Sequence, residues 1–423
     1  MPPEENKKIK IMTLSDHPLA PSGVGIQTKY FIEAMLDTGK YEFISLAGAT
    51  KPKDMTPLVT EKYGDDWKIF PVEGFGTQEM VRSIMRTERP DVMWLMTDPR
   101  FWSWLWQMED EIRANMPIVY YHVWDNYPYP EFNKKFYESN DVVVTISKVT
   151  SDIVQTVSPT VQEEYLPHTV DMEVFKRLED EEIAMFKSAH FDATDDRFIF
   201  FWNNRNARRK QSNSVVWWFK EFLDEVGRDK VCLLMHTDPK DPHGPDLEIV
   251  LDHLGLDKGE VMLSPMKYPP EKMAYLYNIA DCTINIADAE GFGLATLESL
   301  ACETPIIVTL TGGLQEQVTD GERTFGVGIE PSSKAIIGSQ QVPYIFEDRI
   351  SKEDFLAALR KIYHQSPAEL RKMGTEGREH LEKNYGFADY AKKWDELITS
   401  ICEKNGSWET RKNYTGWQLR EVG

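Results

Sequence analysis

Ala289-Glu290-Gly291-Phe292-Gly293-Leu294-Ala295-Thr296-Leu297-Glu298 sets two carboxylates around a glycine-broken turn that runs into a helix. The apolar run Cys282 to Ile286 before it has the length and composition of a buried strand, and Leu294, Leu297 and Ala301 after it share one helical face. Glu290 therefore falls in a strand-to-helix loop. A helix that begins near Gly293 turns its first unpaired amides back into that loop, and these amides with the helix dipole favour an anionic oxygen such as a phosphate. Glu298 falls beside the Leu294 and Leu297 stripe, at the edge of a core, where its carboxylate needs donors that sugar hydroxyls would supply. The plain alternative is that Glu290 complements a helix N-terminus and Glu298 is a solvated helix residue. Two glycines and a hydrophobic strand in the same stretch favour a ligand site.

Outward from this stretch the same unit recurs. Apolar strands are expected at Ile9 to Leu14, Tyr41 to Leu46, Asp91 to Met96, Ile118 to Val123 and Val142 to Ile146, and again at Phe198 to Trp202, Val231 to His236, Val261 to Leu263, Cys282 to Ile286 and Pro305 to Thr309. Helical patterns separate them, which predicts α/β architecture with parallel sheets covered on both faces. Val174 to Asp196 is charged and lacks a strand pattern, so a linker is expected near residues 175–195. The expected division is a first domain over 1–185, a second over 186–386, and a helix with tail over 387–423 that returns to the first domain. Ser332 to Tyr344 reads as a loop. Trp408 and Trp417 leave the tail after Gly406 either loose or held as a strap by those rings.

A chain of 423 residues exceeds one ordinary core, and 41% hydrophobic with 28% charged residues is the balance of a soluble globular protein. The formal net charge of -21 opposes nucleic-acid backbone and anionic membrane as main partners. Four scattered cysteines without metal-ligand spacing read as reduced core residues of a cytoplasmic protein. Neither an apolar leader nor a membrane-length run is visible.

In open parallel sheets ligands bind beyond the carboxyl ends of the strands. Asn203-Asn204-Arg205-Asn206-Ala207-Arg208-Arg209-Lys210 follows an expected strand directly and is the densest basic cluster of this acidic chain. Arg205 offers a planar fork and Lys210 a mobile point charge, a combination suited to a diphosphate; a solvated basic turn is the competing reading. Ser22-Gly23-Val24-Gly25 is a glycine loop after the first strand without a full dinucleotide fingerprint, and Thr311-Gly312-Gly313-Leu314-Gln315-Glu316 follows a strand in the same way. His122 lies near the end of an expected strand ahead of Asp125, which leaves a core histidine and a site residue equally open. The aromatic run Phe101 to Trp106 reads as helix core. No metal-binding motif is present, and Asp288-Ala289-Glu290 runs into a helix start that favours an anion over a cation, so no metal is expected.

Taken together these residues resemble the retaining glycosyltransferases of family 4, which have the GT-B fold of two facing Rossmann-like domains. Glu290 to Glu298 is similar to that family's E-x7-E motif, Arg205 and Lys210 to its diphosphate-contacting pair, and Ser22 to Gly25 to its first-domain glycine loop. Pro167-His168-Thr169-Val170-Asp171 and the Gly312, Gly313, Glu316 loop also resemble family segments. Asn204 and Gln211 stand where the family usually has glycines, and Glu303 where it has a small residue. The resemblance implies a metal-independent transfer of a sugar from a nucleoside diphosphate sugar to a hydroxyl of a glycan or other acceptor, without a further cofactor. It implies Glu290 near the donor sugar, Glu298 on the ribose, and donor contacts from Gly23, Gly25, Phe292, Gly293, Leu294 and Ala295, with His122 near sugar and acceptor. Rival expectations are a sugar-nucleotide 2-epimerase and a non-catalytic nucleotide-sugar-binding subunit.

Overall fold

The computed structural model describes residues 7–190 and 196–416. They form two compact units, one of residues 7–169 with 339–343 and 388–416, the other of residues 170–190 and 196–338 with 344–387.

The first unit holds β1 (Ile9–Asp16), β2 (Tyr41–Thr50), β3 (Leu58–Thr60), β4 (Gly64–Glu73), β5 (Val92–Thr97), β6 (Ile118–His122), β7 (Val142–Thr145) and β8 (Gln162–Tyr165). They make one sheet in the order β3-β4-β2-β1-β5-β6-β7-β8, parallel except for the antiparallel β3–β4 pair. β3, β4 and β8 were not among the expected strands. β4 alternates charge with apolar residues: Trp67 and Ile69 are fully buried while Asp66 and Lys68 pair with Lys8 and Glu88. β8 is a polar edge strand, and only its ladder with β7 marks it.

Helix Phe387–Asn405 packs on this first sheet. Trp394 is wholly buried, with its ring 4.7 Å from Phe31, 5.1 Å from Tyr121 and 6.1 Å from Trp94. Tyr41 donates its hydroxyl to Asp395 at 2.6 Å. The chain then continues as a strap. Trp408 Nε1 donates to the Pro90 carbonyl at 2.9 Å and lies under the Arg89 guanidinium, and Arg411 and Tyr414 reach Asp141 and Asp110. Trp417 lies outside the described residues.

The second unit carries β9 (Phe198–Asn203), β10 (Val231–His236), β11 (Val261–Ser264), β12 (Cys282–Asn285), β13 (Ile306–Thr309) and β14 (Gly326–Ile329), all parallel in the order β11-β10-β9-β12-β13-β14. Both faces are covered, as a parallel sheet requires. Phe200 and Trp202 join a core with Val215, Phe219, Phe222 and Leu359 from helices Ser212–Val226 and Lys352–Tyr363. Phe201, pointing the other way, meets Tyr277 of helix Pro270–Ile279 at 5.2 Å. All four cysteines are free thiols, three of them buried.

One expectation fails in this unit, and one segment carries a helix that the sequence does not display. The segment expected as a linker contains a helix, Asp180–His190, none of whose residues is buried; Phe186 stacks on Tyr275 at 4.8 Å, which holds it without an apolar stripe for the sequence to display. The expected loop Ser332 to Tyr344 begins with a strand, β15 (Ser333–Ile337), which pairs antiparallel with β16 (Ile345–Arg349). Its outer face is exposed, as Ile336 shows, and its buried side chains are Glu347 and Asp348. Ladder hydrogen bonds and ion pairs, rather than an apolar face, hold this hairpin.

Trp394 fills the contact between the last helix and the first sheet, so Trp394→Ala leaves a large cavity there. It should lower the stability of the first unit by about 3–5 kcal/mol, read as an earlier denaturant transition that the helices of the second unit do not share.

Candidate active site

β9 ends at Asn203, and the basic turn follows it at the carboxyl edge of the second sheet. The chain passes through a short turn at Arg208–Lys210 and enters helix Ser212–Val226 through Gln211. β12 ends at the same edge, and Ala289 to Gly293 leads from it into helix Leu294–Ala301. The two loops meet. The Lys210 ammonium forms an ion pair with the Glu290 carboxylate, Arg209 donates to the Ala289 carbonyl, and Asp288 N–H donates to the Arg209 carbonyl at 2.8 Å. Asn285 Nδ2 reaches the same Glu290 oxygen at 3.3 Å.

The side chains of Lys210 and Glu290 are only 10% and 13% exposed. Burial alone would raise the Glu290 pKa, but the Lys210 and Arg209 charges, with hydrogen bonds from Lys210 and Asn285, outweigh it and hold the carboxyl below its ordinary value. Glu290 is therefore ionised at neutral pH and accepts hydrogen bonds. Arg205 is placed differently: its side chain is 60% exposed and forks onto Asp241 at 2.6 and 3.2 Å, with His243 Nδ1 at 2.6 Å. That contact depresses the Asp241 pKa.

The glycine-broken turn is built for close approach. Gly293 sits at φ +97° as the helix cap and brings no side-chain oxygen, so the first amides of helix Leu294–Ala301, including those of Leu294 and Ala295, lack a side-chain cap. A Cβ on Gly313 would lie 2.7 Å from the Phe292 Cα and carbonyl oxygen, so the Gly312-Gly313 loop must stay bare to pack under Gly291 and Phe292. Gln317 Nε2 donates to the Phe292 carbonyl at 2.8 Å, and Thr296 donates to Gln317 at 2.7 Å.

Glu298 lies on the sheet face that carries Tyr277. The Tyr277 hydroxyl donates to Glu298 at 2.7 Å and accepts from Asn203 Nδ2 at 2.7 Å. Burial pushes the Glu298 carboxyl up to about 7, with the Tyr277 hydrogen bond pulling the other way. One of the donors that Glu298 needs is thus supplied by the protein itself. The sequence does not distinguish Tyr277 from core, and Asn203 heads the basic turn there without a role of its own, although its place at a strand end is a legible signal.

The first unit places the remaining candidates. Helix Gly23–Leu36 starts in the glycine loop: Ser22 Oγ caps Gly25 N–H at 3.0 Å and donates to Asp16 at 2.7 Å. A Cβ on Gly25 would meet the His17 carbonyl at 2.7 Å. His122 is fully enclosed, with Nδ1 3.1 Å from the Tyr120 hydroxyl and Nε2 2.9 Å from the Tyr137 hydroxyl. Burial pushes its pKa down to about 3, so it is neutral near pH 7. Trp102 and Trp106 of the aromatic run are core residues, whereas Phe101 is exposed.

Residues 259–380 match the family model described as Glycosyl transferases group 1. Two similar curated proteins are D-inositol 3-phosphate glycosyltransferases. The one from Corynebacterium jeikeium is 32% identical over 119 residues, 27% of this chain and 28% of its own length. The one from Acidothermus cellulolyticus is 41% identical over 69 residues, 16% and 15% of the two chains. The matched stretch thus spans about a quarter or less of these relatives. Among solved structures, sucrose-phosphate synthase from Thermosynechococcus elongatus superposes with a TM-score of 0.75 at 17% identity, covering 94% of this chain and 100% of that one. HepE from Anabaena, solved with UDP and glucose, gives 0.68 at 12% identity, covering 93% and 100%. These likenesses establish the fold as GT-B.

Glu298 gives this site a pH signature. A carboxyl whose folded pKa is raised stabilises the fold fully below its unfolded value near 4.5, and that contribution is lost as pH rises through about 7. Glu298→Gln should therefore gain on the wild-type chain between pH 5 and pH 8 by about 1–2 kcal/mol, read from denaturant curves at the two pH values. Parallel curves would remove Glu298 as the cause.

Proposed function

We propose that this protein is a retaining glycosyltransferase, akin to family 4, that moves a sugar from a nucleoside diphosphate sugar to an acceptor hydroxyl of a glycan or similar compound in the cytoplasm. The observation that carries the reading is the Lys210–Glu290 pair beside a glycine-capped helix start. The relatives and folds described above support it. A departing diphosphate gains negative charge, and a fixed cation with helix amides aimed at it lowers the barrier because nothing has to reorganise as the charge develops. Lys210 and the Leu294 and Ala295 amides take the phosphates, and Arg205 swings from Asp241 to join them. Glu290, ionised and freed from Lys210 by the phosphate, accepts a hydroxyl of the donor sugar. Glu298 accepts from the ribose. Phe292 and Gly293 form the wall of the donor site, and Gly23 and Gly25 keep the first-unit loop bare enough for a ligand. No substrate contact is assigned to His122, whose two nitrogens already engage tyrosine hydroxyls.

The reaction is read as metal-independent on the chemistry of the acids present. Glu290 is neutralised by Lys210, and Asp288 is held by Gln211 at 2.7 Å with Arg349 3.5 Å away, so neither carboxylate offers the uncompensated charge that a magnesium ion seeks. Chelator in the assay should leave the rate unchanged; a rate restored only by added divalent metal would reverse this part.

The test is turnover with a panel of nucleoside diphosphate sugars. Acceptor-dependent nucleotide release is expected, whereas sugar interconversion would identify an epimerase and binding without turnover a non-catalytic subunit. Lys210→Ala and Arg205→Ala should each lower turnover by about two to three orders of magnitude. Near-normal rates in both would remove the diphosphate site from these residues.

A further inference from the structure

Beside the Lys210–Glu290 pair lies a cavity of about 300 Å³ lined by Gln211, Ser214, Trp218, Ile286, Asp288, Ser333, Arg349 and Ile350. That volume is roughly ten times a water molecule's share of the liquid and at the lower end of small-molecule sites. Helix Ser212–Val226 supplies one wall, the end of β12 the floor, and the two ends of the β15–β16 hairpin the other wall. None of the residues assigned to the donor lines it.

Its polar groups are unevenly satisfied. Gln211 spends its amide nitrogen on Asp288 and its oxygen on the Ser214 hydroxyl. Arg349 spends one terminal nitrogen on Glu347, and its buried Nε faces Asp288 Oδ2 at 3.5 Å as an ion pair without a hydrogen bond among the described residues. An acceptor in the cavity would supply the hydrogen bond that this contact lacks. Asp288, 3% exposed, offers its acceptor oxygens to the same space.

The charges select the ligand class. Asp288 opposes an anion and Arg349 opposes a cation, while together they offer acceptor and donor within one wall. Serine hydroxyls add groups that both give and take, and Trp218, Ile286 and Ile350 add apolar surface. A neutral ring bearing several hydroxyls matches this set, because each hydroxyl can donate to a carboxylate and accept from a guanidinium while the ring carbons cover the apolar wall. We propose that this cavity is a binding site for a neutral sugar ring, separate from the donor site. The ring is either a unit of a bound glycan or a free sugar, and it touches Gln211 and Asp288, the immediate neighbours of Lys210 and of the Ala289-Glu290 turn.

The inference does not require the transfer reaction, and its test is a binding measurement. D-glucose, D-mannose and D-galactose, with a short α-glucan and a short β-glucan, are titrated into the full chain by calorimetry, with glucose 6-phosphate and glucosamine as charged counterparts. At least one neutral compound should bind in the millimolar range; preference for a glucan over its monosaccharide identifies a glycan unit, and the reverse a free sugar. Arg349→Met removes the guanidinium that faces Asp288, and Ser333→Trp fills the cavity from an exposed strand end that tolerates a large side chain. Both should weaken binding about tenfold or more. Lys220→Ala, on the same helix but outside the cavity lining, should leave it unchanged. Absence of binding by every neutral compound, tighter binding of a charged counterpart, unchanged affinity in Ser333→Trp, or loss in Lys220→Ala would each overturn the assignment.

Discussion

A lysine and a glutamate sharing a nearly closed space at the edge of the second sheet constrain most of what surrounds them. Removing two charges from water costs several kcal/mol each, and their attraction offsets this only where geometry and further hydrogen bonds are fixed. Here the fixing is visible. Asn285 adds a second donor to Glu290, Arg209 ties the turn before it, and the backbone of Asp288 is bonded to that of Arg209. Replacing either member alone would strand the other charge, so the pair is costly to lose whatever it is used for.

The elements that carry the pair also hold backbone in conformations that side chains rarely adopt. Gln211, directly after Lys210, has φ +59°, and Glu303, ahead of β13, has φ +60°. These are two of the three positions where this chain departs from the family pattern it resembles, which there has glycine or a small residue. A non-glycine residue in this region costs about 1–2 kcal/mol, and each recovers some of it through its side chain. Gln211 bridges Asp288 and Ser214, and Glu303 accepts from Thr375. The departure at Gln211 therefore has a consequence: its amide is what joins the basic turn to the wall of the neighbouring cavity. Asn204, the third departure, has a buried amide nitrogen without a hydrogen-bond partner among the described residues, and nothing in the structure explains it.

What the sequence displayed follows from how each element is held. Strands buried on both faces, such as β9 and β12, announce themselves as apolar runs, and the glycine turn before helix Leu294–Ala301 carries its own punctuation. Elements held by charge do not. The β15–β16 hairpin closes on Glu347, which binds Arg208 and Arg349 from opposite sides in sequence, and helix Asp180–His190 rests on a ring stack; both read as polar loop because the residues that fix them are polar. The site divides in the same way. Glu290 and Lys210 were legible as a loop acid and a loop base at strand ends, but their direct pairing was not, since the two lie 80 positions apart. The Tyr277–Glu298 contact needed the helix face to be known before a tyrosine could be told from core.

The two cations at this edge also differ in what a ligand must do to use them. Lys210 is already desolvated and aimed, so a phosphate reaching it exchanges one carboxylate for another anion, and the solvation cost has been met in folding. Arg205 is solvent-facing, and the Asp241 carboxylate onto which it forks keeps the His243 N–H as a donor when Arg205 leaves, which lowers the cost of the release. One charge is thus preorganised and the other is free to close on what arrives. In a chain of net charge -21, the proposed donor site would hold a polyanion without a standing excess of positive charge, because every cation of the turn, Arg205, Arg208, Arg209 and Lys210, is matched by an acid or a carbonyl. Binding by partner exchange makes the affinity depend on how well the released acids are taken up elsewhere. For Glu290 that means a donor sugar hydroxyl, so in this reading the phosphate and the sugar of one donor satisfy the two halves of a single ion pair.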